Sequence, residues 1–497
     1  MTLTFPHALS LFSTTKILAY DARHQVIGKS TIRIPITSTI PDLKRRFLGV
    51  LPHIKCIQLP VEEEPILFEL VMPMFPQLTS LVAPGLKDLR ILHVLDQLKE
   101  LDISLRTYSV RDEGAPVDMD AVSSLLALRS LKISNWKIAT LTPILKLAQL
   151  RELSFSVLGG SELDLSELST LKSLTSLTIT GRGLREVRPI TKLTRLKYLC
   201  LGDTNVSDIS GLNLLHDLTS LEISRCPLSD VQPLSELDKL QNLNLSESAL
   251  SNLQPLASLH SLKSINISLT FVTVLDSLKY LINLEDLNAS HTYIDDLSPL
   301  RHLLNLSTLN FDGTEIDDLR PLCPCQKLKV LSCNETKLRN LNPLAANGSL
   351  VILSLIAAEV KDVSVAKHLP LLRELYLTQT RVTDISALKD LKYLQILHLS
   401  DISICDFSCI QSLQSLYELH VSVTNESDIT SFATLTNLKV LHMGLSHTGS
   451  NAVFDLDILK MIPSLEFMYL HGAKGHDIGP LCKWMEEHHI EFLDWRK

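Results

Sequence analysis

The sequence predicts an α/β solenoid, with a parallel sheet on a concave side and short helices or helical turns on a convex side. An L-x-x-L-x-[LI] pattern recurs every 22 residues between Leu128 and Leu438, apart from one step of 24 between Leu150 and Leu174. Units of this length cannot bury their apolar face alone, so they stack. The 497-residue chain also exceeds the roughly 250–300 residues that one compact core serves.

Each repeat begins with a short strand. Leu199 and Leu201 are expected to point to the buried face of their strand, and the residue between them to the opposite face. Strands of successive repeats are expected to pair in parallel. The side chains between the paired leucines then form a column on the concave surface, with neighbours about 4.8 Å apart.

A turn with a small polar residue follows each strand. A small hydroxyl or thiol at a buried turn can satisfy backbone groups where the strand ends, and we predict that role here. The residues at this position are Thr204, Thr270, Thr292, Thr314, Thr336, Thr380 and Thr424, with Cys226 and Ser248 as variants.

The convex side of each repeat begins at an aspartate-containing turn. In Asp296–Leu300, Ser298 is predicted to be an N-cap and Pro299 the first residue of a short helix. The recurring aspartates are interpreted as turn-forming rather than catalytic. They are Asp208, Asp230, Asp296, Asp318, Asp384, Asp406 and Asp428.

The repeat divides the chain into four segments. The first is predicted to contain strands at Lys16–Tyr20 and Thr31–Ile36 and a short helix at Asp42–Val50, and to cap the apolar edge of the first repeat. A small independent domain is the alternative for it. The segments are residues 1–53 (N-terminal cap or short non-repeat segment), 54–127 (degenerate repeats), 128–437 (regular repeats) and 438–497 (irregular last repeats and C-terminal cap).

Composition narrows the function classes. The net charge of -8 and the absence of a basic run disfavour nucleic-acid binding. No stretch approaches the ~18–20 apolar residues of a membrane span, and the N-terminus lacks the basic region of a secretory signal. Nine scattered cysteines, an odd number, indicate free thiols in a reducing compartment. We therefore expect a cytoplasmic protein that is monomeric on its own.

The full pattern, L-x-x-L-x-L-x-x-T-x-[IV]-x-D-[IL]-x-P-L, resembles the 22-residue leucine-rich repeat class. That class includes the internalin proteins and a phosphatase-one regulatory subunit. The resemblance covers Leu128–Leu438 strongly and Ile54–Leu493 loosely, although the usual turn asparagine is here mostly threonine. It implies a leucine-rich-repeat horseshoe and protein–protein recognition on the concave sheet.

Two zones of the concave column are candidate binding sites for a protein partner. The first zone is a set of asparagines, interpreted either as a structural ladder of amides bonded to one another or as a polar floor for a peptide. The second gathers tyrosine and histidine side chains. Phenylalanine, tryptophan and tyrosine together are only 5% of the chain, and tyrosine is a preferred anchor at interfaces. The zones are Asn244, Asn266, Asn288 and Asn310, and then Tyr376, His398, His420, His442 and Tyr469.

Metal binding by the second zone is an alternative, since zinc sites of three histidines exist. The repeat itself forces the spacing of these histidines, however, and the sequence identifies no carboxylate that orients the imidazoles. A pH-sensitive contact is a further alternative. Ordinary stacking without a ligand is another. We predict no metal and no cofactor, and we interpret Cys323, Cys325 and Cys333 as small core residues or turn residues rather than ligands.

The sequence shows no phosphate-binding loop and no hydrolase, zinc-protease or kinase motif, and the repeat assigns a role to nearly every residue. We therefore predict that the protein is not an enzyme. The favoured function is a cytoplasmic scaffold that grips a protein on the concave sheet. There are two alternatives. One is a substrate receptor of a ubiquitin ligase, in which residues 1–53 recruit an adaptor. The other is a secreted or surface adhesin that resembles the internalins.

Overall fold

A computed structural model gives the fold of the chain. It divides into two compact units, residues 1–240 and 241–497, which are described separately. Within the described residues, no helix has the length and apolar character needed to cross a bilayer. The structure describes residues 2–4, 15–20, 32–34, 56–58, 77–84, 86, 88–105, 117–158, 163–424, 427–446, 456–472 and 478–494.

The first unit is built on a sheet in which one strand is added per repeat. From β4 to β11, consecutive strands pair in parallel within this unit. The strands are β1 (Thr2–Thr4), β2 (Thr15–Tyr20), β3 (Ile32–Ile34), β4 (Cys56–Gln58), β5 (Ser80–Val82), β6 (Glu100–Asp102), β7 (Ser130–Ile133), β8 (Glu152–Ser156), β9 (Ser176–Thr180), β10 (Tyr198–Cys200) and β11 (Ser220–Glu222).

Helical segments of the first unit connect these strands. One is a single α-helical turn and the others are 3₁₀ helices of three to five residues. They are α1 (Thr142–Leu145) and the 3₁₀ helices Arg90–Val94, Asp120–Ser124, Ser166–Thr170, Leu212–Leu214 and Gln232–Glu236.

The N-terminal strands extend the edge of this sheet. Strand β1 pairs in parallel with β4 and antiparallel with β2, which pairs antiparallel with β3. The strands predicted at Lys16–Tyr20 and Thr31–Ile36 are therefore present, as β2 and β3. The helix predicted at Asp42–Val50 lies outside the described residues. The division into cap, degenerate repeats and regular repeats stays a prediction.

The second unit repeats the same plan, and each of its strands pairs in parallel with the next. The strands are β12 (Asn242–Asn244), β13 (Ser264–Asn266), β14 (Asp286–Asn288), β15 (Thr308–Asn310), β16 (Val330–Ser332), β17 (Ile352–Ser354), β18 (Glu374–Tyr376), β19 (Ile396–Leu399), β20 (Glu418–Thr424), β21 (Val440–Ser446), β22 (Phe467–His471) and β23 (Glu491–Asp494).

The far side of the second unit consists of 3₁₀ helices, which we call the outer turns. Helix α2 (Gly479–Glu487) precedes the last strand. The outer turns are Gln254–Ser258, Asp276–Tyr280, Ser298–His302, Arg320–Leu322, Asn342–Ala346, Ser364–His368, Ser386–Asp390, Ser408–Ser412, Thr430–Thr434 and Leu456–Met461. The predicted α/β solenoid with a parallel sheet and helical turns is thus confirmed in both units.

The repeated leucines fill the space between sheet and outer turns. Leu287 and its register partners Ile265 and Leu309 are no more than 1% exposed. Aromatic side chains substitute for leucine at some levels, and Phe407 and Phe432 meet edge-to-face with ring centroids 5.3 Å apart. Burial of apolar surface, repeated at each level, is therefore what holds the strands in register.

The turn after the strand is closed as predicted at seven of the nine positions, whereas the hydroxyl of Thr424 pairs with that of Ser427 and the thiol of Cys226 donates to the carbonyls of Leu201 and Ser224. The hydroxyl of Thr292 donates to the carbonyl of Ala289 at 2.6 Å, and the hydroxyl of Ser248 donates to that of Leu245 at 2.7 Å. The same bond to the residue three positions earlier is made by Thr204, Thr270, Thr314, Thr336 and Thr380. These hydrogen bonds satisfy buried backbone carbonyls that accept no hydrogen bond from the neighbouring strand.

The start of the outer turns differs in one respect from the prediction. The carboxylate of Asp296 accepts the backbone N–H of Ser298 at 2.8 Å, and the 3₁₀ helix begins at Ser298 with Pro299 second. The N-cap role predicted for Ser298 is therefore wrong, and Asp296 closes the turn. The outer turn spans only the five residues Ser298–His302, which are too few for a stable α-helix, so the chain adopts 3₁₀ geometry.

Replacing Leu287 with Ala should lower the free energy of unfolding by about 2–5 kcal/mol, because the lost side chain leaves a cavity inside a packed parallel sheet. Urea-induced unfolding of the full chain measures this. The control is Ala in place of the exposed neighbour Glu285, which should change stability by less than about 0.5 kcal/mol. Equal effects of the two substitutions would contradict the assigned register.

Replacing Thr292 with Val should cost about 1–3 kcal/mol, because the shape is kept while the carbonyl of Ala289 loses its donor. The matched control is Thr308→Val on the partly exposed strand face, which should be nearly neutral. Thermal unfolding of both variants measures the difference. Comparable melting temperatures would show that the buried hydroxyl does not stabilise the turn.

Candidate partner-binding face

The five aromatic candidates lie side by side on the solvent face of the second unit's sheet. Each is the third residue of its strand in β18–β22, and the strand register aligns each with the next. All five are partly exposed, so they lie neither in the leucine core nor among the outer turns. We call this set the aromatic column: Tyr376, His398, His420, His442 and Tyr469.

The rings of the aromatic column contact one another continuously. The Tyr376 ring meets that of His398 edge-on, with centroids 4.6 Å apart. The rings of His398 and His420 stack at 3.7 Å, and those of His420 and His442 at 4.0 Å, with interplanar angles of 19° and 11°. Tyr469 lies 5.3 Å from His442. Each ring is therefore restrained by its neighbours, which lowers the entropy lost when a partner binds.

Two carboxylates on the same face fix the polar atoms of these rings. The Oε1 of Glu418 lies 2.7 Å from the Nε2 of His420 and 3.4 Å from the Nε2 of His398. The Tyr376 hydroxyl donates to Oε2 of Glu374 at 2.8 Å. The interpretation that no carboxylate orients the imidazoles is therefore wrong, because Glu418 contacts two of them. Glu418 lies two residues before His420, a spacing that places both on one face of a strand.

Burial and crowding lower the pKa values of the three imidazoles. Burial and the positive charges of His398 and His442 lower the pKa of His420 to about 4, against the opposing influence of Glu418. Burial also lowers the pKa of His398 and of His442, and Glu418 opposes both shifts. Burial and the adjacent Glu374 raise the pKa of Tyr376. At neutral pH the three imidazoles and the phenol of Tyr376 are thus uncharged.

The four candidate asparagines lie on the same face at β12–β15 and are also partly exposed. Their amide oxygens accept the backbone N–H two residues further along, as in Asn244 with Ser246 at 3.1 Å and Asn310 with Asp312 at 2.9 Å. Asn266 and Asn288 make the same bond. Among the described residues no hydrogen bond joins these amides to one another. The predicted amide ladder is therefore wrong, and each side chain closes its own turn; a role in partner binding stays a prediction.

The cysteines behave as the sequence predicts. Cys325 and Cys333 are fully buried, Cys323 is half-buried, and all three are free thiols. Burial raises the pKa of Cys325 to about 11 and also raises that of Cys333. Within the described part of the chain, one group alone brings three histidine, cysteine or acidic side chains within ligand distance of each other: His398, Glu418 and His420.

No protein-family model and no curated protein matches this sequence. Solved structures do match. An internalin of Listeria monocytogenes is 27% identical, covering 60% of this chain and 87% of its own, with a TM-score of 0.56. A leucine-rich-repeat protein of Leptospira interrogans is 20% identical, covering 77% of this chain and 99% of its own, with a TM-score of 0.63.

The chain is a leucine-rich-repeat protein. A third similar structure, the complex of TLR13 with ssRNA13, is 20% identical and covers 89% of this chain and 68% of that one, with a TM-score of 0.58. At this identity the likeness shows the fold alone. Proteins built on leucine-rich repeats share an interaction surface on the sheet, so the described geometry supports an interaction scaffold without naming its partner.

The low imidazole pKa values should make this leucine-rich-repeat protein less stable in mild acid. Unfolded histidines take up protons near pH ~6.5, whereas folded His420 does so near 4. Stability is therefore fully present above the unfolded pKa and is lost as pH falls from ~6.5 towards 4. Urea midpoints across that range measure the slope. His420→Asn should flatten it, and an unchanged slope would contradict the described environment.

Proposed function

We propose that this protein is a non-enzymatic, cytoplasmic interaction scaffold that binds a protein partner on the solvent face of the second unit's sheet, across the aromatic column. The observation that carries the proposal is the contiguous column of five neighbouring rings, three of them held by two carboxylates and all of them partly exposed. Large rings in fixed positions are what partner proteins use as anchoring contacts.

The prior ordering of these side chains lowers the entropic cost of binding a partner at this surface. Interfaces lose affinity when flexible side chains must be ordered. Here His398 and His420 are already held by stacking and by Glu418, and each keeps 20% of its side-chain surface exposed. A partner side chain that covers the rings would therefore gain apolar contact at little entropic cost.

The charge of the face indicates the chemistry of the partner. The described strands of the second unit contain no lysine or arginine, and the charged residues at their solvent-facing positions are Asp286, Glu374, Glu418 and Glu491. A phosphate backbone would be repelled by this set. A protein segment with basic and aromatic side chains would be attracted, because carboxylates accept from guanidinium groups and tyrosine faces attract cations.

Two alternatives differ in where the partner binds. A ubiquitin-ligase receptor would recruit an adaptor through residues 1–53, and an internalin-like adhesin would meet its partner outside the cell. The 27% identity to an internalin supports the second alternative only as a shared repeat. Adaptor capture by residues 1–53, or labelling of the protein on intact cells, would favour these alternatives over a cytoplasmic scaffold.

The test is capture of a partner by the full chain and by the variant with Ala at Tyr376, His398 and His420. We expect the variant to fold normally and to bind the captured partner at least about 10-fold more weakly, since anchor residues each contribute about 2 kcal/mol or more. The matched control places Ala at Tyr393, His302 and His368, which are all exposed: the two histidines end outer turns, and Tyr393 lies between the outer turn Ser386–Asp390 and β19.

The control variant should bind as the wild type does. If the triple substitution in the aromatic column leaves affinity unchanged, or if the control variant loses it, the aromatic column is not the binding site. Circular dichroism of both variants separates a loss of binding from a loss of fold.

A further inference from the structure

We propose that His398, Glu418 and His420 form a binding site for one Zn²⁺ ion. The three side chains lie on adjacent strands β19 and β20, and their ligand atoms all lie within 4.8 Å of one another. The sequence predicts no metal here, because the repeat forces the histidine spacing and no orienting carboxylate is identified. In the structure the carboxylate of Glu418 lies beside both imidazoles.

The donor set suits zinc. Two imidazole nitrogens and one carboxylate oxygen form a known three-ligand zinc set that leaves a fourth position open. Ligands bound at ~2.0–2.2 Å in a tetrahedral site lie roughly 3.4 Å apart. The Oε1 of Glu418 is already 2.7 Å from the Nε2 of His420 and 3.4 Å from that of His398. An ion could therefore replace the present hydrogen bonds with small movements of the side chains.

The backbone holds these ligands in place. His398 and His420 are register partners on neighbouring parallel strands, and Glu418 is on the same face of β20. His442 packs on one side of the imidazole pair, at 4.0 Å from the His420 ring, and Tyr376 on the other, at 4.6 Å from the His398 ring. A site carried on strands and supported by packed neighbours is more ordered than one carried on loops.

The stacking of the two imidazoles sets a limit on affinity. Rings stacked at 3.7 Å with an angle of 19° direct their lone pairs side by side. Convergence on one ion requires one ring to turn, which weakens the stack. We therefore expect moderate rather than very tight binding. The ion would also reverse the sign of the local charge, so the zinc-loaded face would favour an anionic donor from a partner at the open position.

The test is titration of the purified full chain with Zn²⁺ alone, followed by calorimetry. We expect one ion whose affinity falls at least about 100-fold in the His398→Ala, His420→Ala double variant and about 10-fold or more in Glu418→Gln. The matched control, Ala at the exposed His302 and His368, should bind zinc as the wild type does. The free thiols are unchanged in every variant, so they cannot account for a difference.

Equal zinc affinity of the wild type and the double variant would overturn the site. Imidazole proton resonances give a second readout, since those of His398 and His420 should shift together with one equivalent of Zn²⁺, and shifts confined to other histidines would contradict the assignment. The partner-capture experiment, performed with a chelator present, tests the scaffold function separately. Either proposal can therefore fail without the other.

Discussion

Parallel pairing of one short strand per 22-residue repeat is the constraint on which the rest of the structure depends. Each strand buries its leucines against the outer turns, and the alternation of a strand then requires the intervening side chain to face solvent. The register is maintained from β18 to β22, so residues at the same position of successive repeats lie next to one another. The aromatic column is a consequence of this geometry.

Local polar contacts keep that register intact. Buried threonines such as Thr292 satisfy carbonyls at the end of the strand, and aspartates such as Asp296 close the turn that starts the far side. Asparagines such as Asn288 do the same on the sheet face. The solvent face at β18–β22 instead carries tyrosine, histidine and acidic side chains together with Ile396 and Val440.

The sequence predicts the elements that the repeat itself determines. Leucine periodicity indicates the strands and their buried faces, and the recurrence of Thr292 and Asp296 at fixed positions predicts their turns. The predictions fail where the outcome depends on side-chain direction or segment length. The amide of Asn244 could bond along the sheet or to its own backbone, and only the structure separates the two.

The position of Glu418 in the sequence could have indicated that it lies beside His420. Its spacing of two residues from His420 predicts that both side chains lie on the same face of the strand. Contact with both His398 and His420 depends on side-chain rotamers, which the sequence does not determine. The 3₁₀ geometry of the outer turns likewise follows from how few residues each repeat leaves there, and that count becomes clear only once both ends of the segment are known.

Photo-crosslinking tests the central claim most directly. A photoreactive phenylalanine analogue would replace Tyr376 or Tyr469 on the sheet face, and His302 or His368 in the outer turns, in the full chain bound to its captured partner. Crosslinks to the partner are expected from the first pair and none from the second. Crosslinks confined to His302 and His368 would contradict partner binding at the aromatic column, because the partner would then lie against the outer turns.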